Sequence, residues 1–160
     1  MDVVIVAVGR LKAGPERELC ERYLERARKT GRALGLKSFA VEEVAESRAA
    51  RPTDRIAEEQ KGLSARIGDG DRIVCLSAAG DLVDSDRFAA SLARDAEASV
   101  PRTVFVIGGP DGMGEGLARR AHRSLSFGRV TWPHQLVRIL LSEQLYRATT
   151  ILSGHPYHRA

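Results

Sequence analysis

Unbroken aliphatic runs alternate with amphipathic stretches along this chain, and the alternation predicts strands and helices in turn. Residues 2–9, DVVIVAVG, are aliphatic until a glycine stops them, as expected of a strand covered on both faces. Gly14 and Pro15 then open a helix that places Leu19, Cys20, Tyr23, Leu24 and Ala27 on one side and mostly charged residues on the other. Residues 36–44 alternate loosely and predict a second strand, and residues 52–67 a helix whose inward stripe, Ile56, Leu63 and Ile67, is thin enough to cover only one edge. A GDGD turn precedes a third strand at 72–77, followed by Ala78, Ala79 and Gly80. Ser85 is placed to cap a third helix at 86–98, with Phe88, Leu92 and Ala96 inward.

The stretch TVFVIGGPDGMG, 103–114, is the pivot: a β-branched run empties directly into a glycine-rich turn. Glycines there allow close approach of the main chain to a ligand, and the carboxyl end of a sheet strand is where open α/β sheets bind. A tight strand-to-helix turn with no ligand is the plainer alternative. A short helix at 115–123, a short strand at 124–127 and a loop at 128–131 lead to a last helix that begins at Trp132 and Pro133 and runs to about residue 152. That helix is apolar on more than one side, so it is either interior or shared between its own sheet and a second subunit. The whole pattern predicts one α/β domain with a mostly parallel sheet and helices on both faces.

Composition narrows the class. With 160 residues, 43% hydrophobic and 29% charged, the chain suits a single globular domain. No apolar run approaches the roughly 18 residues of a membrane span, and no signal-peptide pattern is present, so a cytoplasmic protein without a membrane partner is expected. Cys20 and Cys75 lie apart in a helix and a strand and are expected to be reduced and packed. The formal charge of +4 is too modest to argue for nucleic acid by itself.

The chemistry is in the late loops. The first βα turn, GRLKAG, lacks G-x-G-x-x-G, and no G-x-x-x-x-G-K-[ST] exists, which argues against NAD, FAD and an ordinary triphosphate loop. No metal-ligand spacing or carboxylate cluster accompanies the glycine loop either, so no metal is expected.

FVIGGPDG at 105–112, LSFGRVTWPHQLVRILLSEQLYRA at 125–148 and GHPYHR at 154–159 closely resemble the RlmH family. These are small SPOUT-class methyltransferases that modify N3 of a pseudouridine in large-subunit ribosomal RNA. The resemblance spans residues 1–160 and implies a C-terminal trefoil knot, a homodimer with its site beside the interface, and S-adenosylmethionine as methyl donor. By position it implies that Leu76, Gly108, Gly128, Arg129, Val130, Thr131, Trp132 and Pro133 form the donor site. Gly128, Val130 and Trp132 depart from the family's usual serine, methionine and smaller side chain. Ribosomal RNA in the large subunit or whole ribosome is the implied partner. A non-catalytic ribosome- or RNA-binding module of the same fold is the rival expectation.

Beside that implication the residues keep other readings. Thr131 stands where it can cap the last helix, Arg129 where it can be solvated, and His134 either hydrogen-bonds structurally or moves a proton. Residues 155–159, HPYHR, offer an aromatic face, an imidazole and a guanidinium suited to a base and a phosphate, or form a disordered terminus. By resemblance Arg147, Tyr157, His158 and Arg159 are the candidates for catalysis or RNA positioning, with His134 a weaker one. Arg138 and Glu143 are expected to pair on the surface. His122, among Arg119, Arg120 and Arg123, is expected to face solvent.

Overall fold

A computed structural model describes residues 1–159. Five strands, β1 (Asp2–Val8), β2 (Ser38–Val44), β3 (Arg72–Leu82), β4 (Arg102–Ile107) and β5 (Arg123–Ser126), form one sheet in the order β2-β1-β4-β3-β5. Every pairing is parallel, in register from Asp2↔Ser38 and Asp2↔Arg102 outward. Helices α1 (Pro15–Gly31), α2 (Pro52–Ser64), α3 (Ser85–Glu97), α4 (Glu115–Arg120) and α5 (His134–Ser153) connect and cover it.

Period-two alternation in the strands sorts the core onto two faces. Val3, Ile5, Ala7, Val74, Phe105 and Ile107 pack with Leu24 and Ala27 of α1, Phe88 and Leu92 of α3, and Leu141 and Leu145 of α5. Val4, Val6, Cys75, Val104 and Val106 pack on the other side with Leu63 of α2 and Leu117 of α4. Both cysteines are free and buried, and burial raises both thiols, that of Cys75 to about 11, which disfavours the reactive thiolate.

Several details differ from expectation. β3 does not stop at Ser77: its pairing with β5 jumps from Leu76↔Leu125 to Asp81↔Leu125, so residues 77–80 bulge outward before the strand resumes. A Cβ on Gly80 would lie 2.6 Å from the Leu125 carbonyl carbon, so only glycine lets β5 pass there. The cap of α3 is Asp84, whose side chain accepts the Arg87 N–H at 2.7 Å. Ser85 instead donates its hydroxyl to Gln144 of α5 at 2.9 Å. Pro133 sits at the N-cap of α5, not inside its first turn, and no side chain caps that end, so Thr131 has no capping role.

The last helix lies between α1 and α3, which explains its apolar breadth. Its buried hydroxyls satisfy themselves on the preceding turn, Ser142 donating to Arg138 O and Thr149 to Tyr146 O. At its end Gly154 takes φ 68°, and the His155 N–H reaches Thr150 O at 2.9 Å, closing the helix.

Candidate active site

The carboxyl ends of β3, β4 and β5 open into a crevice of about 620 Å³, at the edge where open α/β sheets place their ligands. Its walls are Leu76, Ser77 and Ala78 at the bulge of β3, Ile107 to Pro110 with Gly112 and Met113 at and beyond the end of β4, and Leu125 to Gly128 with Val130 to Pro133 at and beyond the end of β5. His134 and Val137, from the first turn of α5, close one side. The lining is apolar side chain and bare main chain, with His134 its single ionisable group among the described residues. Such a volume and lining suit a flat heteroaromatic ligand read by backbone groups.

Leu76, Gly108, Gly128, Val130, Thr131, Trp132 and Pro133 all line this crevice. Arg129 does not. Its guanidinium donates to Ala78 O at 3.1 Å and Gly80 O at 3.5 Å, tying the last loop to the β3 bulge. Ser126 Oγ reaches the same Ala78 carbonyl at 3.3 Å. The two loops are therefore stitched together.

The tail candidates gather elsewhere. Glu143 Oε1 accepts from Arg147 Nε at 2.9 Å, from Arg147 Nη2 at 2.6 Å and from the Tyr157 hydroxyl at 3.1 Å. The guanidinium also lies 4.9 Å from the Tyr157 ring centroid. Since Arg147 can only donate, His158 Nδ1 accepts from it at 3.3 Å, which leaves the ring proton on Nε2, 3.8 Å from Asp86. The Tyr157 ring packs on Tyr146 at 4.6 Å. Burial first, then the neighbouring Glu143 carboxylate, pushes the Tyr157 hydroxyl up to about 12, so it stays protonated and donates. The Glu143 hydrogen bond likewise raises Arg147. Arg159 is exposed.

The crevice lies at the first turn of α5, and the tail cluster gathers on Glu143 and Arg147 in its middle and second half. Ten residues separate Val137 from Arg147, about 15 Å along a helix. His134 is the one candidate of the catalytic group that lines the crevice.

Two expectations are overturned outright. Arg138 is not on the surface: it is 1% exposed, paired with Glu43 of β2 and donating to Gly9 O at 2.8 Å. Glu143 takes Arg147 as its partner instead. His122 is exposed as expected, yet its Nδ1 accepts the Ile73 N–H at 3.1 Å and its own N–H donates to Ile73 O. Sequence reading also passed over Glu59, 3% exposed beneath the glycine loop. The signal was available in both cases: Glu59 falls between Ile56 and Leu63, and Arg138 between His134 and Leu141, each at inward helical spacing.

No helix among the described residues is long and apolar enough to cross a membrane, and no group of three potential metal ligands occurs among them. The chain is 54% identical to the ribosomal RNA large subunit methyltransferase H of Afipia carboxidovorans and 52% identical to that of Rhodopseudomonas palustris, in each case over the full length of both. The crystal structure of the SpoU methyltransferase AviRb from Streptomyces viridochromogenes, in complex with AdoMet, aligns with 92% of this chain and 57% of its own at 11% identity and a TM-score of 0.39. The family described as predicted SPOUT methyltransferase matches residues 1–158. By that match and those full-length relatives, the chain belongs to the SPOUT methyltransferase family, in the group of the ribosomal RNA large subunit methyltransferases H.

Proposed function

We propose that this protein transfers a methyl group from S-adenosylmethionine to N3 of a pseudouridine in large-subunit ribosomal RNA, working as a homodimer on the assembled ribosome in the cytoplasm. The observation that carries the reading is the crevice itself: glycine-lined main chain on one wall, apolar side chains on the other, and a volume within the range of cofactor sites. Leu76, Gly108, Gly128, Val130, Thr131, Trp132 and Pro133 would hold the donor, while Arg129 braces the loop from behind. The bound donor supplies an electrophilic methyl on a sulfonium. Everything else falls to alignment of the acceptor nitrogen and removal of its proton.

His134 is placed to face an acceptor from the crevice wall. Arg147, with Tyr157 and His158 gathered on it from beyond the end of α5, lies about 15 Å along the helix from Val137 of its own crevice, and on this reading Arg147, Tyr157, His158 and Arg159 serve the partner's crevice. Exposed Val130 and Trp132 on the crevice wall, with exposed Leu136 in the first turn of α5, support an interface there. The stitching of residues 126–129 to the bulge at 77–80 supports the threaded, knotted course of the C-terminal segment.

Calorimetric titration with S-adenosylhomocysteine tests the site, and stoichiometric binding is the expected result. Gly108→Val would put its Cβ 2.9 Å from Gly112 O and should abolish binding while the protein stays folded by circular dichroism. Wild-type protein that binds ribosomes but not the cofactor would instead be an RNA-binding module.

A further inference from the structure

Glu59 lies on the inward stripe of α2 and is almost wholly buried. Its Oε1 accepts the Ser47 N–H at 3.0 Å, while Oε2 is buried with no hydrogen-bond partner. That free oxygen stands 2.5 Å from where a Cβ on Gly109 would be. The carboxylate therefore presses on the back of the loop whose front lines the crevice, and glycine at 109 is what admits it. The loop is clamped on both sides of this contact. Arg55 holds Asp111 with two bonds of 2.6 and 3.0 Å, and Gln60 accepts the Leu117 N–H at 3.3 Å.

An incompletely bonded buried carboxylate is costly unless a positive charge answers it. Arg55, one turn earlier, lies within charge range of Glu59 but makes its hydrogen bonds to Asp111 and, through Nη1, to Ala49 O and Ala50 O. Glu58 and Glu46 add no cation. The crevice lining carries no acidic side chain among the described residues. Glu59 is thus the carboxylate that contacts the crevice wall, and the one cation within its range, Arg55, is shared with Asp111, so one positive charge answers two carboxylates.

We propose that Glu59, through the thin Gly109 backbone, sets the charge preference of the crevice, favouring a cationic methyl donor over the neutral thioether it becomes. This rests on the function proposed above. Donor and product share the adenosine that the apolar walls grip, and differ by one methyl and one positive charge. Walls that read shape hold both alike, whereas a fixed negative charge one peptide away holds the cation more tightly and eases release of the product. Screening by the open mouth leaves an effect of about tenfold.

The test titrates wild-type protein and Glu59→Gln with three ligands: S-adenosylmethionine, sinefungin, whose ammonium replaces the sulfonium, and S-adenosylhomocysteine. Expected is a loss of about tenfold for the two cationic ligands and a change under about twofold for the neutral one. Glu59→Asp, which keeps the charge, should retain the preference. Should Glu59→Gln fail to melt cooperatively, Glu59→Met offers similar volume without charge and the same readout. Equal weakening of all three ligands would assign Glu59 a purely structural role and overturn the proposal, as would no change at all. Wild-type protein that binds none of the three overturns the proposed function itself, a result distinct from a parallel loss in the variant.

Discussion

Arg138 carries more of the architecture than its place in a surface-looking helix turn suggests. It joins α5 to β2 through Glu43 and to the first loop through Gly9 O, while Glu43 Oε1 also accepts the Leu11 N–H at 2.9 Å. Arg138→Met leaves Gly9 O and the half-buried Glu43 carboxylate without their guanidinium donor and should cost about 1–3 kcal/mol in urea denaturation. Adding Glu43→Gln to that variant should recover part of the loss. Burial pushes the Glu43 carboxyl up, but the Leu11 N–H and the Arg138 guanidinium outweigh it and hold it below its ordinary 4.5. A depressed folded-state value means the contribution is intact above about pH 4.5 and disappears as pH falls through the folded value. The melting temperature of the wild type should therefore drop more steeply than that of Glu43→Gln below about pH 4.5. Spacing alone placed Arg138 and Glu59 on inward stripes, yet a charged residue on a stripe is ordinarily read as a gap in it. Arg138 is answered by a carboxylate far away in sequence and Glu59 only in part by the Ser47 N–H, and no local pattern carries that information.

At the scale of elements, apolar periodicity was a good guide wherever a segment buries one continuous face. β1, β4 and α3 fall within a residue or two of their expected bounds, and α1 starts where expected. It failed where tertiary contacts set the ends. The resumption of β3 after Gly80 depends on β5 lying alongside, and Asp84 rather than Ser85 caps α3 because Ser85 is drawn to Gln144. Asp84→Ala should cost about 1 kcal/mol, and Ser85→Ala less, by thermal or urea denaturation. Gly80→Val forces β5 away from the bulge. It should lower stability by about 1–3 kcal/mol and, because Arg129 is anchored to the same bulge, weaken S-adenosylhomocysteine binding by calorimetry.

The whole molecule separates a binding crevice from a polar tail by the length of half a helix, and this makes the proposed dimer testable. Protein carrying Gly108→Val has a tail without a crevice; protein truncated after Gly154 has a crevice without a tail. If each tail serves the other subunit, co-refolding equal amounts of these inactive chains should restore methylation to about a quarter of wild type, since half the dimers are mixed and each has one complete site. Activity no higher than either parent would place tail and crevice in the same chain. The parallel sheet and the glycine turn after β4 were legible from aliphatic runs, and the crevice residues from family resemblance; the distance between crevice and tail was not, because helix length and loop course had to be seen together. The strand order bears on manufacture as well. β4 slots between β1, made long before it, and β3, the strand made just before it, and the bulge at 77–80 has nothing to rest on until residues 126–129 leave the ribosome. A growing chain thus carries an unfinished edge until its final fifth is synthesised, and a product stalled before β5 should be degraded quickly where the complete chain persists.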